Sequence, residues 1–496
     1  MYKFSLIIAV LFVSVCHSRH VYGAEPISVG KVSASSTTAF TSSKMQSQVV
    51  TNLVRGEEYP IIKRKEAVDG EVIHTVATGD TLYLVARHYG VTVNEVKKEN
   101  RLIGSRLYVG QRLIIPRDLV SHQVERADSL WKIARAYNTS IDRLIKNNQV
   151  DAVVLQPGTD LEIPEGFYQL QLLDGKTGWV QQSAVKQSKQ DRFNLGWKYN
   201  GKHDSYQKQL RINGLDVVSP RWYTLSYEKL ISLNEDNHYA VSAAKAGKQV
   251  WPLFGNRFDP ALTDFILSDA GNRQKVISSL KKSLVQTKSQ GINVDFENID
   301  PKNKKDYVTF IQELKKELQP YGIFVSVDVS RENDDPFWSG SLDRAGLGEA
   351  ADFIVLMGYD EHWGSSPKAG SVASLPWTDE GIKLLLEEVP GHKILLGVPF
   401  YTREWITDNS GKVRSVDRTI IETEKLIREK GLTKKWDDST SQNYVEFMEN
   451  GEKHQIWVED EDSMKLRYDL VKKYHLRGTA AWYVGGGPED IWSVLE

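Results

Sequence analysis

From about residue 194 to the C-terminus, short apolar segments alternate with stretches of helical periodicity, which leaves few architectures open. Candidate strand cores lie at 195–197, 217–223, 250–254, 292–297, 323–328, 353–359, 394–400 and 478–482. Strands separated by helices pair in parallel, and eight of them in roughly 300 residues predict an α/β fold, a (β/α)8 TIM barrel. Helical patterns at 272–286 and 306–318 supply two of the crossovers. The gap from Tyr401 to Arg477 is too long for one crossover and predicts a small α+β insertion at about 402–476.

In such barrels the chemistry sits at the carboxyl ends of the strands. The fourth strand reads Gly291-Ile292-Asn293-Val294-Asp295-Phe296-Glu297. The two-residue period of a strand puts Asn293, Asp295 and Glu297 on one face and Ile292, Val294 and Phe296 on the other. Burying two carboxylates is costly, so this face points to chemistry, with an ordinary half-exposed strand as the alternative. Strand five ends in Asp328 and strand six in Tyr359 and Asp360; strand seven leads into Tyr401 and Arg403, and strand eight ends in Trp482. A rim of carboxylates, Tyr and Trp suits a carbohydrate, which stacks on aromatic faces and needs many hydrogen-bond partners.

A net charge of -2 gives no global basic field, which argues against a nucleic-acid partner. Lys3, the apolar run from Phe4 to Val15 and the small residues Gly23-Ala24 have the layout of a secretory signal over 1–23, cleaved near Gly23 or Ala24. Cys16 is the only cysteine, and bulky Val15 before it disfavours a lipoprotein cleavage site. Signal removal therefore leaves a chain with no disulfide and no thiolate metal or nucleophile site. No later segment is apolar for the length of a membrane span. The stretch 24–72 reads as a flexible or poorly packed lead-in, rich first in Ser, Thr and Val and then in mixed charges.

Residues 74–116 and 122–164 form a gapless repeat at an offset of 48 residues. His74, Val76, Asp80, Leu82, Ala86, Tyr89, Asn100, Gly110, Leu113, Ile115 and Pro116 recur as His122, Val124, Asp128, Leu130, Ala134, Tyr137, Asn148, Gly158, Leu161, Ile163 and Pro164. Each copy reads as strand, helix, helix, strand, with Asp80 and Asp128 as helix N-caps, Gly90 and Asn138 as stops and Thr92 with Glu95 as a capping box. The copies, bounded at 73–117 and 121–165, resemble LysM modules, copy two departing at Arg126-Ala127-Asp128-Ser129 and Pro157-Gly158-Thr159. The resemblance implies binding of N-acetylglucosamine-containing glycans, with Asp80, Thr81, Leu82, Asp128, Ser129 and Leu130 as candidate contacts; capping and packing alone are the other reading of each. Two tandem modules would gain avidity on a polymer. The 166–194 segment, with its hairpin-like Asp174-Gly175-Lys176-Thr177-Gly178-Trp179-Val180, faintly resembles the end of a bacterial SH3-like module but is too short to be one, and reads as a packed linker.

The barrel segment, 195–496, resembles glycoside hydrolase family 18. Asp295 and Glu297 match the last two acids of the pattern Asp-x-x-Asp-x-Asp-x-Glu, Met357-Gly358-Tyr359-Asp360 its Met-x-Tyr-Asp strand, Gly397-Val398-Pro399-Phe400-Tyr401 with Arg403 its seventh-strand motif, and Trp482 its terminal Trp. Gln290 and Asn293 depart from the pattern's first and middle Asp; Asn in the middle resembles the branch of the family that carries LysM modules and contains spore-cortex and cell-wall N-acetylglucosaminidases. The resemblance implies a retaining, substrate-assisted hydrolysis. Glu297 would be the general acid and then base, Asp295 would orient the acetamido group, tuned by hydrogen bonds from Asn293, and Tyr359 would donate to the acetamido oxygen. Trp482 would floor the site, and Asn293, Asp360, Tyr401 and Arg403 would serve substrate binding. The implied protein is a secreted monomer of the bacterial wall or spore envelope, acting on peptidoglycan or chitin, with no cofactor and no metal. A chitinase, an inactive glycan-binding barrel and a metal-dependent hydrolase using Asp295, Glu297 and Asp360 are the alternatives.

Overall fold

The computed structural model describes residues 26–43, 48–65, 72–89, 91–115, 119–137, 139–148, 155–164, 166–198 and 209–495. The signal-like segment, Gly90, Pro116 and Asn138 lie outside these residues, as do the side chains of Glu95 and Pro164.

Eight parallel strands close into a barrel: β1 (Phe193–Lys198), β2 (Val217–Ser226), β3 (Leu253–Gly255), β4 (Gly291–Asp295), β5 (Phe324–Ser330), β6 (Phe353–Met357), β7 (Ile394–Pro399) and β8 (Gly478–Trp482). Closure comes from β1, which pairs with β2 on one side and β8 on the other. Every strand core expected from the sequence is one of these eight. Helices such as Ala270–Thr287 and Lys304–Leu318 pack outside, where Ile292, Val294 and Phe296 of the fourth strand segment join Val276, Leu280, Phe310 and Leu314 in one core. The inner face carries Asn293 and Asp295, and at its start Gly291, where a Cβ would meet the Trp251 ring at 2.6 Å. Trp251 stacks on Phe353 at 5.5 Å and meets Phe193 edge-on at 5.3 Å, so aromatics fill the barrel's lower half and polar groups occupy its mouth.

The insertion after β7 is an antiparallel sheet of five strands, Tyr401–Thr407, Val413–Thr419, Lys435–Asp437, Gln442–Glu449 and Glu452–Val458, with helix Ile420–Lys430. It is shorter than expected. Helix Glu461–Lys473, which the sequence reading assigned to it, places Met464, Tyr468, Leu470 and Val471 in the barrel core and is the crossover between β7 and β8.

The larger correction is at the N-terminus. Residues expected to be an unpacked lead-in form the strands Ile27–Val32, Ser36–Phe40, Val49–Val54 and Glu58–Lys65. They share a seven-stranded sheet with Phe167–Gln171, Thr177–Gln181 and Val185–Gln190 from the segment read as a linker. The lead-in strands pair only two and two, Ile27–Val32 with Glu58–Lys65 and Ser36–Phe40 with Val49–Val54, and the later strands join the two pairs; together they enclose Val32, Ala39, Leu53, Leu170 and Val180. Both repeat copies are spliced between two paired strands of this sheet, Glu58–Lys65 and Phe167–Gln171.

Each copy is a two-stranded antiparallel pair, Val72–Thr75 with Arg112–Ile115 or Leu119–Gln123 with Asp160–Pro164, holding two short helices. The recurring Asn explains part of the repeat. Asn100 Nδ2 donates to the carbonyls of Val96 (2.8 Å) and Ile114 (2.6 Å), and its Oδ1 accepts from Ile114 N–H (2.7 Å). Asn148 does the same with Leu144 (3.0 Å) and both backbone groups of Glu162 (2.8 and 2.6 Å). One side chain thus ties helix end to closing strand. Asn100→Ala strands the Ile114 backbone groups and is expected to destabilise copy one by about 2–3 kcal/mol, seen as faster hydrogen exchange across 112–115 with barrel peptides unchanged.

Candidate active site

Above the aromatic floor, a cleft of about 1310 Å³ opens at the carboxyl ends of the strands and brings together Asp295, Glu297, Asp328, Tyr359, Asp360, Tyr401, Arg403 and Trp482. β4 ends at Asp295, and Glu297 lies two residues beyond, on the turn that leaves the barrel. Both acids keep only part of their surface exposed. Burial pushes the Asp295 carboxyl up to about 6, against the opposing charge of Arg221. Burial, then the charges of Asp295 and Asp360, hold Glu297 well above the usual carboxylate range. Asp328, 2% exposed, is also held high by burial and by Asp295. Three carboxyls in one dry site cannot all ionise cheaply, so their protons are held more tightly than in water.

Asn293 does not tune Asp295 in the way expected from the sequence. It is fully buried, accepts from Trp197 Nε1 (2.7 Å) and donates to Ser326 Oγ (3.0 Å) and Asp328 Oδ1 (2.6 Å). These bonds engage its amide within the barrel, so it lies beneath the cleft surface and orients Asp328. Asp295 Oδ1, buried, has no hydrogen-bond partner among the described residues. Tyr401 Oη and Arg403 Nη1 both donate to Asp360 Oδ1, at 2.5 and 2.8 Å, and Arg403 Nε pairs with Asp417 of the insertion at 3.1 Å. The Trp482 ring lies 5.8 Å from Trp197, which in turn meets Tyr359 edge-on at 6.5 Å, giving a three-ring wall.

Several cleft residues went unread in the sequence. Asn256, 1% exposed, accepts from Glu297 N–H (3.2 Å) and donates to Glu297 C=O (2.7 Å), replacing a strand partner where β4 has ended. Its Oδ1 also accepts from Phe258 N–H (3.2 Å). That bond holds Arg257 and Phe258 at φ 64° and 56°, a conformation costing roughly 1 kcal/mol per residue outside glycine, and both line the cleft. Phe258 lies 5.9 Å from Trp338, another cleft residue, and Trp363 and Trp377 add further aromatic lining. No local motif marks Asn256; only the approach of β3 to the end of β4 gives it this role.

Residues 237–487 match glycosyl hydrolases family 18, and residues 74–116 and 122–164 each match the LysM domain. The chain belongs to glycosyl hydrolases family 18. It is a glycosidase with two LysM domains. It is 25% identical over 428 residues to a putative sporulation-specific glycosylase of Bacillus subtilis, covering 83% of this chain and 94% of that one. It is 25% identical over 305 residues to a cortical fragment-lytic enzyme of Bacillus cereus, covering 58% and 70%. Its fold matches the crystal structure of the Bacillus cereus spore cortex-lytic enzyme SleL with a TM-score of 0.57 at 22% identity, over 86% of this chain and 97% of that one.

In the LysM domains the helix caps fall one residue later than expected. Ser129 Oγ caps helix Leu130–Ala136 through Lys132 N–H (3.2 Å), and Thr81 Oγ1 accepts from Leu84 N–H (3.2 Å) at helix Leu82–Tyr89. Asp80 and Asp128 instead pair with His74 and His122 at 2.9 and 3.0 Å and accept from Ala77 and Glu125 N–H. Leu82 and Leu130 are buried core residues, so of the six candidate contacts these two face inward. Among the described residues no group of three or more His, Cys, Asp or Glu is placed to hold a metal ion, and no helix is long and apolar enough to cross a membrane.

Two expectations follow. Asp295 is more basic folded than unfolded, so the folded chain binds the proton more tightly and this carboxyl lowers stability as pH rises from about 4 through about 6. Asp295→Asn should therefore raise the barrel's melting temperature at pH 7 and have little effect at pH 4, by calorimetry at both values. Asn256→Ala loosens Glu297 without touching substrate; kcat on a soluble oligosaccharide should fall about 10- to 100-fold with KM changing less.

Proposed function

We propose that this chain is a secreted, cell-wall-directed N-acetylglucosaminidase that cleaves β-1,4 bonds after N-acetylglucosamine in peptidoglycan by a retaining, substrate-assisted mechanism. The observation that carries the reading is the buried pair Asp295 and Glu297, both held protonated more readily than ordinary carboxyls, beneath a wall of Trp482, Trp197 and Tyr359. In this reading Glu297 donates its proton to the glycosidic oxygen as the 2-acetamido oxygen of the same sugar attacks the anomeric carbon. Asp295 Oδ1, which has no partner among the described residues, accepts the acetamido N–H and the carboxylate stabilises the positive charge of the oxazolinium. Tyr359 donates to the acetamido oxygen. Glu297 then removes a proton from the water that opens the ring, restoring the starting configuration.

Trp482 floors the reacting sugar, and the Tyr401, Arg403 and Asp360 cluster is already hydrogen-bonded into one rigid edge for sugar hydroxyls. The similarity to sporulation-specific and cortical fragment-lytic proteins supports peptidoglycan over chitin. The LysM domains would hold the polymer while the barrel cuts, raising the local concentration of bonds.

Glu297→Gln should lower turnover about 100- to 10,000-fold while glycan binding persists; equal loss of both would remove the role given to Glu297. Mass spectrometry of muropeptides released from purified peptidoglycan, beside chitin oligosaccharides, tests the substrate. New reducing-end N-acetylglucosamine from peptidoglycan is the expected product, whereas cleavage of chitin oligomers alone would make the chain a chitinase.

A further inference from the structure

The insertion sheet has two unlike faces. On one, Val445, Ile456 and Val458 pack against Ile427 of helix Ile420–Lys430. On the other, cross-strand register sets Lys435 opposite Tyr444 and Tyr444 opposite Trp457, so these three side chains form one row across three adjacent strands. The next strand continues that row. Trp405 pairs with Gln455, which places Arg403, two residues earlier, on the same face as Trp457, two residues later. Arg403 is the side chain that fixes Asp360 in the catalytic cleft. The row therefore runs outward from the cleft's own wall.

At its outer end lies a concavity of about 500 Å³, separate from the cleft and lined by Lys435, Trp436, Asp437, Asp438, Ser439, Tyr444 and Trp457. The Tyr444 and Trp457 rings meet at 5.0 Å and 53°, whereas Trp436 pairs with Asn443 and so turns its side chain to the opposite face of the sheet. The edges of the Tyr444 and Trp457 rings are tethered. Trp457 Nε1 donates to Asp437 Oδ2 (2.9 Å), and the Tyr444 hydroxyl donates to Glu446 (2.9 Å) and accepts from Gln455 Nε2 (2.7 Å). Rigid rings interleaved with short polar groups match the stacking and hydroxyl recognition that a pyranose requires. A protein partner would call for a larger continuous apolar patch than one broken by Lys435, Asp437 and Asp438.

We propose that the insertion carries a second glycan-binding site, built on Tyr444 and Trp457, which holds an N-acetylhexosamine polymer where it runs beyond the catalytic cleft. The proposal rests on the glycan-directed reading above. The test compares the full chain with Trp457→Ala on insoluble N-acetylglucosamine-containing polymer and on a short soluble chitin oligosaccharide that fills only the cleft. Trp457→Ala should lower kcat/KM on the polymer about tenfold and leave the short substrate unchanged, and Trp457→Phe, which keeps a stacking face, should restore most of the loss. Unchanged polymer turnover in both Trp457→Ala and Tyr444→Ala would overturn the site, as would equal losses on both substrates. If the parent chain cleaves neither substrate, the glycan reading fails first and the site with it, an outcome visible without any variant.

Discussion

The seam that closes the barrel is the constraint on which the rest depends. β1 must find β8 nearly at the other end of the chain, and Asn194 sits on that join, accepting from Thr479 Oγ1 (2.6 Å) and donating to the carbonyls of Gly214 (2.8 Å) and Leu495 (2.9 Å). Gly478 makes the approach possible, because a Cβ there would lie 1.9 Å from the Phe193 carbonyl oxygen. A contact of that sequence separation costs loop entropy and is a slow step in folding. Once made, it turns eight separate strand ends into one mouth. Trp197 of β1 can then reach Asn293 of β4, and Trp482 of β8 can reach Trp197.

Closure also divides the interior. The lower half takes aromatic side chains and the upper half takes carboxyls, so the dry, low-dielectric floor lies directly beneath the groups whose protons matter. The barrel accepts a stability cost at Asp295, Glu297 and Asp328 in exchange for acids that hold their protons more tightly than ordinary carboxyls. Asn293 moderates that cost by supplying Asp328 with a neutral donor where a further carboxylate would add charge. The insertion adds a second constraint from outside, since Asp417 on its strand pairs with the same Arg403 that holds Asp360.

Much of the fold was legible because its signals are local. Strand cores, the 48-residue repeat and the alternation at 291–297 all follow from periods of two or about 3.6 residues read within a short window. The lead-in failed for the opposite reason. Its strands join one sheet only through partners more than a hundred residues later, as Lys65 facing Phe167 illustrates. The helix Glu461–Lys473 was placed in the insertion for a related reason: its apolar face fits either neighbour, and only packing assigns it to the barrel.

By itself the sequence determined that Asp295, Glu297, Tyr359, Asp360, Tyr401, Arg403 and Trp482 stand at strand ends, since motif spacing and strand period are properties of the chain. Only the tertiary structure decided that Asn293 turns to Trp197 and Asp328 and leaves Asp295 without it, that Asn256 clamps the backbone of Glu297, and that Asp80 and Asp128 answer a histidine while their neighbours cap the helices. The physical reason is the same in each case. Hydrogen-bond partners and the dryness that shifts a carboxyl are set by which strands lie side by side, and that depends on closing the barrel rather than on any residue's neighbours in sequence.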